Sequence, residues 1–325
     1  MRIPFLALLC ACGGSSDDTK PSDSGTATPT PTEVEQPDED LNITNVELDG
    51  ECDMAVDYGG VVAGLFETYS YVNGTVADGV VPSSVLEEIT VDGDCRLLKQ
   101  LNPFCDPVCG PEEVCDFGTC IPYPANQDLG TLTVTGLVED VVLEPQGSSN
   151  QYFNTEIPHP GFEEGSLIEM RTDGGAFEPV ILHGVGVTQI ELASMEWEVA
   201  PGEDFLIEWT PPGGEVVRSE VHVAMNVDQH GLTPIQIICG FPDTGSATVP
   251  SSLIDALVDG GVTGFPSATV TRRTVDSTEV GDGCMDLSVT SHQTPAVTVD
   301  GYIPCSPTVP CPSGLTCDPV LFICL

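Results

Sequence analysis

β-Branched side chains dominate the stretch Thr131-Leu132-Thr133-Val134-Thr135-Gly136-Leu137-Val138. Such a composition favours a β-strand. Further short segments of this kind follow, separated by Gly, Pro, Asp and Asn, at 139–143, 166–170, 180–182, 188–192, 205–209, 216–225, 235–239, 268–275, 284–290 and 296–299. About ten short strands at this spacing predict an all-β fold, an antiparallel β-sandwich over residues 128–300.

One helix is predicted within this region, at 252–258, because its apolar residues fall on one side of a helix. The strand at 205–209 ends in Trp209, before a turn sequence, and so resembles the tryptophan-bearing strand of immunoglobulin-like domains at the level of the fold. For Trp197 and Trp209 we expect packing in the core. A platform on which sugars stack is the alternative.

The N-terminus carries an apolar run that ends in Leu9-Cys10-Ala11-Cys12. The run is shorter than the ~20 residues of a transmembrane helix and fits an export signal. Its last four residues resemble the lipobox of bacterial lipoproteins. The resemblance implies a signal peptide at 1–11 and a lipid on the thiol of Cys12. An ordinary signal peptide, cleaved near Gly13, is the alternative.

Residues 12–40 consist almost entirely of Gly, Ser, Thr, Pro, Asp and Glu after the first cysteine. Such a segment buries too little apolar surface to offset its chain entropy, so a disordered acidic stalk is predicted. In the Gram-negative lipoproteins that the chain resembles, a residue such as Gly13 in place of Asp implies sorting to the outer membrane. We therefore expect a lipid-anchored outer-membrane protein that faces the periplasm or the cell surface.

The charge is strongly negative, with 51 acidic and 8 basic residues and a formal net charge of −43. Such a surface repels phosphate backbones, so no nucleic-acid partner is predicted. Solubility is the favoured explanation of the charge, and capture of calcium is the alternative. No cofactor is predicted, although Asp276, Glu279 and Asp282 are loop carboxylates of the kind that hold calcium.

The sequence is rich in cysteine, and the predicted export signal would place it in an oxidising compartment. Fourteen are present, and twelve remain when Cys10 and Cys12 are set aside. Their even number and the oxidising compartment predict six disulfides. These twelve are Cys52, Cys95, Cys105, Cys109, Cys115, Cys120, Cys239, Cys284, Cys305, Cys311, Cys317 and Cys324.

Eight of the twelve form two clusters, which predict cysteine-rich modules at 101–125 and 301–325. Each module is too small for a hydrophobic core and must be held by crosslinks. Four cysteines allow three pairings, and zinc binding is a weaker alternative for the first cluster. Among the other four, pairing Cys52 with Cys95 would close a small N-terminal β unit at 41–100. Pairing Cys239 with Cys284 would close a second segment.

The two clusters resemble the short EGF-like cysteine-rich repeats of myxobacterial surface lipoproteins. The resemblance covers about twenty residues in each copy. It implies that the first cysteine of a cluster pairs with the third and the second with the fourth. The resemblance implies no enzymatic activity.

The sequence contains none of the common catalytic motifs, and its five histidines are scattered. We therefore expect a cell-envelope binding or adhesion protein rather than an enzyme, with a cell-surface polymer or envelope protein as partner. The alternatives are a hydrolase of envelope or prey polymers with a carbohydrate-binding sandwich, and a purely structural envelope component. Binding is assigned to residues 128–300, which have enough length to fold alone.

Overall fold

The computed structural model describes residues 42–101, 104–214, 217–227 and 235–325. The predicted signal peptide, the lipid-bearing Cys12 and the stalk lie outside these residues, as does part of the predicted strand at 216–225. The described part of the chain contains no helix long and apolar enough to cross a membrane.

The described residues are mostly β-structure. The strands are β1 Asp57–Leu65, β2 Ser70–Val76, β3 Leu86–Asp92, β4 Cys95–Gln100, β5 Glu113–Asp116, β6 Thr119–Pro122, β7 Leu132–Thr135, β8 Val141–Leu143, β9 Tyr152–Ile157, β10 Leu167–Thr172, β11 Ile181–Val185, β12 Glu196–Val199, β13 Phe205–Glu208, β14 Glu220–Asn226, β15 Ile235–Pro242, β16 Ser246–Val249, β17 Ser267–Val280, β18 Gly283–Gln293 and β19 Ala296–Val299. One α-helix, α1 Ser251–Asp259, and two 3₁₀ turns, Pro82–Ser84 and Gly147–Ser149, complete the secondary structure of this part of the chain. The predicted helix at 252–258 is confirmed.

Eleven strands form one large sheet. Nine of them follow the order β3-β4-β15-β14-β17-β18-β1-β2-β9, and β12 and β19 join beside β17. The second layer consists of a four-stranded sheet, β11-β10-β7-β8, and the pair β13-β16 with α1. The predicted all-β sandwich is thus confirmed, although β1 pairs with β18 and β12 with β19 in parallel. The large mixed sheet also differs from the smaller antiparallel sheets of immunoglobulin domains.

Side chains alternate along the central strands, as a half-buried sheet requires. On β14, Val221, Val223 and Met225 are buried, and His222 and Ala224 between them are half-buried. The buried set fills two clusters. The first core joins β4, β14 and β15 to α1 and the strands near it, and the second joins β1, β2 and β18 to the four-stranded sheet.

The N-terminal strands belong to this sheet and do not form a unit of their own. Strand β4 pairs with β15, and β1 lies between β18 and β2. The boundaries expected at residues 100 and 128 therefore do not divide the sheet. The reason is burial, since the apolar faces of these short strands are covered only when they join strands from 220–293.

All twelve cysteines among the described residues are disulfide-bonded. The pairings inside the modules are confirmed as first-to-third and second-to-fourth, namely Cys105–Cys115, Cys109–Cys120, Cys305–Cys317 and Cys311–Cys324. The first module is built on the hairpin of β5 and β6.

The two local pairings expected for the other four cysteines are wrong. Cys52 is bonded to Cys284, and Cys95 to Cys239. Cys95 and Cys239 face each other across β4 and β15. Because β1 and β18 are parallel, their N-terminal ends lie side by side, with Asp57 opposite Cys284, and the segment that leads into β1 brings Cys52 to Cys284.

Candidate functional site

The face of the large sheet that points away from both cores carries the strongest candidate site. Cross-strand register sets one row of side chains, in which Thr290 pairs with Arg273 and Arg273 with Glu220. In the next row His292 pairs with Thr271 and Thr271 with His222. We call this surface the open face, and define it by Phe66, Tyr69, Tyr71, Arg96, Glu220, His222, Thr271, Arg273, Thr290 and His292.

Aromatic rings cluster at one end of the open face. The centroid of the Phe66 ring lies 4.7 Å from that of Tyr69, 5.5 Å from Tyr71 and 4.0 Å from His292. Tyr69 is 41% exposed, and the other three rings are half-buried. The ring of Tyr71 lies directly above Gly64, where a Cβ would come within 2.3 Å of it. Glycine at position 64 therefore lets this ring approach the sheet closely.

A charged cavity of about 430 Å³ lies at the other end of the open face. Arg273 is its central cation, and Nε donates to Glu220 Oε1 at 2.8 Å while Nη2 donates to Glu51 Oε2 at 2.8 Å. His222 and the exposed Arg96 also line this cavity. Arginines and carboxylates therefore balance one another here, in a chain whose formal charge is −43.

The environment of the cavity sets the protonation of its groups. Burial would raise the pKa of Glu51, but the hydrogen bond and charge of Arg273 outweigh burial and hold this pKa below its usual value. Burial, followed by the charge of Arg273, lowers the pKa of His222 to about 4. At neutral pH His222 is therefore uncharged and has one hydrogen-bond donor and one acceptor.

Asp286 is the unusual carboxyl group on the same side of the sheet. Burial raises its pKa to about 6, and the charges of Asp57 and Glu51 act in the same direction. Its side chain lies over Gly60, where a Cβ would come within 2.0 Å of Oδ1. Asp286 is thus partly protonated near pH 6, although it does not line the charged cavity.

The segment before β1 completes the cavity wall. Arg218 donates to the backbone oxygens of Ile43 at 3.2 Å and Val46 at 2.8 Å, and Asp49 N donates to Asp276 Oδ1 at 3.0 Å. A second cavity of about 510 Å³ lies on the other side of Arg218. The role of Arg218 is therefore to position the segment that carries Glu51.

The two tryptophans expected in the core are there. Trp197 and Trp209 are 6% and 4% exposed, and both belong to the first core. Trp209 Nε1 donates to the buried Asp243 at 2.7 Å. Neither ring is available for stacking on a sugar, and on the open face the most exposed ring is that of Tyr69.

The three carboxylates considered for calcium do not act together. Asp276 is buried and accepts hydrogen bonds from the backbone N–H groups of Asp49, His183 and Ser277. Glu279 and Asp282 are exposed near the turn between β17 and β18. Among the described residues, the groups with metal-binding spacing are Cys105/Cys109/Cys120 and Cys305/Cys311/Cys317, and disulfides occupy all of these thiols.

Sequence reasoning missed the charged half of this site. Arg96, Arg218 and Arg273 are three of only eight basic residues, and all three line one cavity. The sequence shows that basic residues are rare, which could have marked these three for attention. It does not show that they meet in one cavity, because this depends on the register of β4, β15, β14 and β17.

No protein family and no curated protein matches this chain. The residues of the open face are therefore the basis on which a function is assigned.

Proposed function

We propose that this protein is a lipid-anchored cell-envelope binding or adhesion protein without catalysis. Its anchor is the lipid on Cys12, in the outer membrane, and its partner is a polymer or protein of the envelope or of a cell surface. The open face is its binding surface. One observation carries this assignment: one face of the large sheet packs on both cores, and the other presents aromatic rings beside a charged cavity.

The open face suits binding for a physical reason. Side chains on neighbouring strands are held in fixed register, so a surface built on a sheet is organised before the ligand arrives. Tyr and Phe rings add large contact areas at a low cost in side-chain entropy, and arginine adds directional donors. The two disulfides across the large sheet, Cys52–Cys284 and Cys95–Cys239, hold the strands that carry these groups.

The state of the cavity carboxylates supports a role without catalysis. Acid–base hydrolysis needs two carboxyl groups whose pKa values are moved apart. Glu51 and Glu220 instead both accept hydrogen bonds from Arg273. They therefore hold the arginine in place.

A hydrolase is the second candidate, and Asp286 is the observation that favours it. A carboxyl group with a pKa near 6 suits a general acid. Incubation of the protein with envelope polysaccharide at pH 5–6, followed by an assay for new reducing ends, tests this function. If reducing ends are released by the native protein but not by Asp286→Asn, the protein is a hydrolase and the binding role without catalysis is contradicted.

Cys12→Ser tests the anchor. With the lipid site removed, the protein should move from the membrane to the soluble fraction of the producing bacterium. Cys10→Ser is the matched control, because it changes the neighbouring cysteine and leaves the lipid site intact. Unchanged membrane partitioning of Cys12→Ser would contradict the proposal.

Binding is tested with the released Cys12→Ser protein and isolated cell envelopes in a sedimentation assay. Tyr69→Ala and Arg96→Ala, both at exposed positions of the open face, should each weaken binding. Tyr123→Ala and Arg171→Ala are matched controls, because both residues are exposed outside the open face. Loss of binding in the control variants alone would show that another surface binds the envelope. If the Cys12→Ser protein itself does not bind envelopes, the purely structural role is favoured.

A further inference from the structure

The ligand class of the open face follows from its charge and shape. We infer that the open face binds a neutral polysaccharide chain, which lies across β2, β1, β18, β17 and β14. This inference rests on the proposed binding function and adds the chemistry of the ligand to it.

The whole-molecule charge is the first argument. A chain with a formal charge of −43 repels anionic polymers at a distance. A cationic polymer would be attracted to the molecule as a whole, but in the cavity of the open face Glu51 and Glu220 are already paired with Arg273. A neutral ligand meets no long-range repulsion and needs no unpaired charge in the cavity.

The polar groups of the cavity are the second argument. Hydroxyl groups both donate and accept, so a polyhydroxylated ligand needs acceptors and donors close together. Glu51 and Glu220 supply carboxylate oxygens, Arg96 supplies guanidinium donors, and the uncharged His222 supplies one of each. This balanced set suits hydroxyl groups better than it suits a carboxylate or an ammonium group.

The aromatic cluster is the third argument. Sugar rings have apolar C–H faces, and the half-exposed rings of Phe66, Tyr69 and Tyr71 offer apolar surface beside polar groups. A chain that rests on these rings reaches the cavity along the row of partly exposed side chains from His292 through Thr271 to His222.

The dimensions favour a polymer over a small molecule. Five neighbouring strands span four inter-strand spacings, or about 19 Å at ~4.8 Å each. An extended peptide would be expected to pair with a sheet edge through its backbone, and the open face is the broad surface of central strands. A glycan is therefore the occupant that the surface fits.

Native affinity electrophoresis of the full-length Cys12→Ser protein tests the inference. The gels contain one polymer each: dextran, a galactomannan or a mixed-linkage β-glucan as neutral probes, polygalacturonate as the anionic probe and chitosan as the cationic probe. We expect at least one neutral polymer to retard the protein, with little change between about 0.05 M and 0.5 M salt. Tyr69→Ala should weaken this retardation about tenfold, and Tyr69→Phe should restore it because the ring is kept.

Arg96→Ala is the second variant, since the side chain is exposed and its removal leaves the core intact. It should also weaken retardation, and Tyr123→Ala and Arg171→Ala should not. Retardation by charged polymers alone would overturn the inference. So would neutral polymers that retard Tyr69→Ala and Arg96→Ala as strongly as they retard the protein with both residues intact. If the protein sediments with cell envelopes but no neutral polymer retards it, the ligand is of another class, such as an envelope protein, and only the inference fails. If it binds neither, both proposals fail.

Discussion

Arg272 and Asp243 form a buried ion pair with only 1% and 3% of each residue exposed. Arg272 Nε donates to Asp243 Oδ2 at 2.6 Å, and the same carboxylate also accepts hydrogen bonds from Trp209 Nε1 and Ser219 Oγ. Arg272 Nη1 donates to Thr188 Oγ1 and to the backbone oxygen of Gln189, and Nη2 donates to Asp243 Oδ1 and to the backbone oxygen of Thr210. Because both charged groups are fully hydrogen-bonded, these interactions offset the free-energy cost of removing two charges from water.

Asp243→Asn should therefore be strongly destabilising, because it keeps the shape of the side chain but leaves Arg272 as an uncompensated buried charge. We expect a loss of about 3 to 5 kcal/mol in the free energy of unfolding, measured by urea denaturation. Glu169→Gln is the control at a partly exposed ion pair with the exposed Arg171, where a change below about 1 kcal/mol is expected. Equal losses in the two variants would contradict this account of Asp243.

Asp286→Asn should stabilise the protein, with a characteristic dependence on pH. Burial and two neighbouring carboxylates raise the pKa of Asp286 from 3.8 to about 6, so the folded state holds this proton more tightly than the unfolded state does. The contribution of Asp286 to stability is therefore present below about pH 4 and is lost as the pH rises through 6.

Asn does not ionise, so the stability of the variant relative to the native protein should rise between pH 4 and 6 and then stay level, at a gain of about 3 kcal/mol for the shift from 3.8 to about 6. The free energy of unfolding of both proteins is measured by urea denaturation at several pH values. The difference between the two proteins isolates Asp286, because the opposite pH dependence of His222 is the same in both. A gain that is the same at pH 3.5 and pH 7 would show that ionisation of Asp286 is not its cause.

At the scale of elements, the parallel pairing of β1 with β18 organises the sheet. It places residues 57–65 beside 284–291 and carries β2 and β9 with them. The disulfide Cys52–Cys284 closes this arrangement across 232 residues of sequence, and Cys105–Cys115 closes only 10. Because a longer closed loop removes more entropy from the unfolded chain, the two disulfides should differ in their effect on stability.

Replacement of both Cys52 and Cys284 by Ala should cost about 4 to 5 kcal/mol, and replacement of both Cys105 and Cys115 about 3 kcal/mol. Thermal denaturation under non-reducing conditions measures the difference, and peptide mapping confirms that the other five bridges remain. A larger loss for the Cys105/Cys115 variant would contradict the loop-length explanation.

At the scale of the whole molecule, residues 42–325 depend on one shared sheet. Strands from 57–100 lie beside strands from 220–293, and each core takes side chains from both regions. The cysteine-rich modules differ, since each is held by its own two disulfides.

A fragment of residues 128–300 should therefore fail to fold, contrary to the expectation from its length. It lacks β1, β2 and β4, which would expose the apolar faces of β18 and β15, and it leaves Cys239 and Cys284 without their partners. Residues 41–325 should give a single cooperative thermal transition with native near-ultraviolet circular dichroism, and the fragment should give neither. A cooperative transition in the fragment would restore the division at residue 128.

The sequence by itself determined the features that depend on neighbouring residues. β-Branched runs between turn residues indicated strands, one-sided apolar spacing indicated α1, and clustered cysteines indicated modules closed by short loops. Each of these follows from local conformational preference or from closure of a loop of about ten residues.

Only the tertiary structure decided the long-range features: the partners of Cys52 and Cys95, the burial of Arg272 with Asp243, and the meeting of Tyr71, Arg273 and His222 on one face. Strand order and register are set by burial of whole sheet faces against residues far away in the sequence. A shift of one residue in β14 would send His222 into the core and Val221 outward, and no local pattern records which strand will lie beside it.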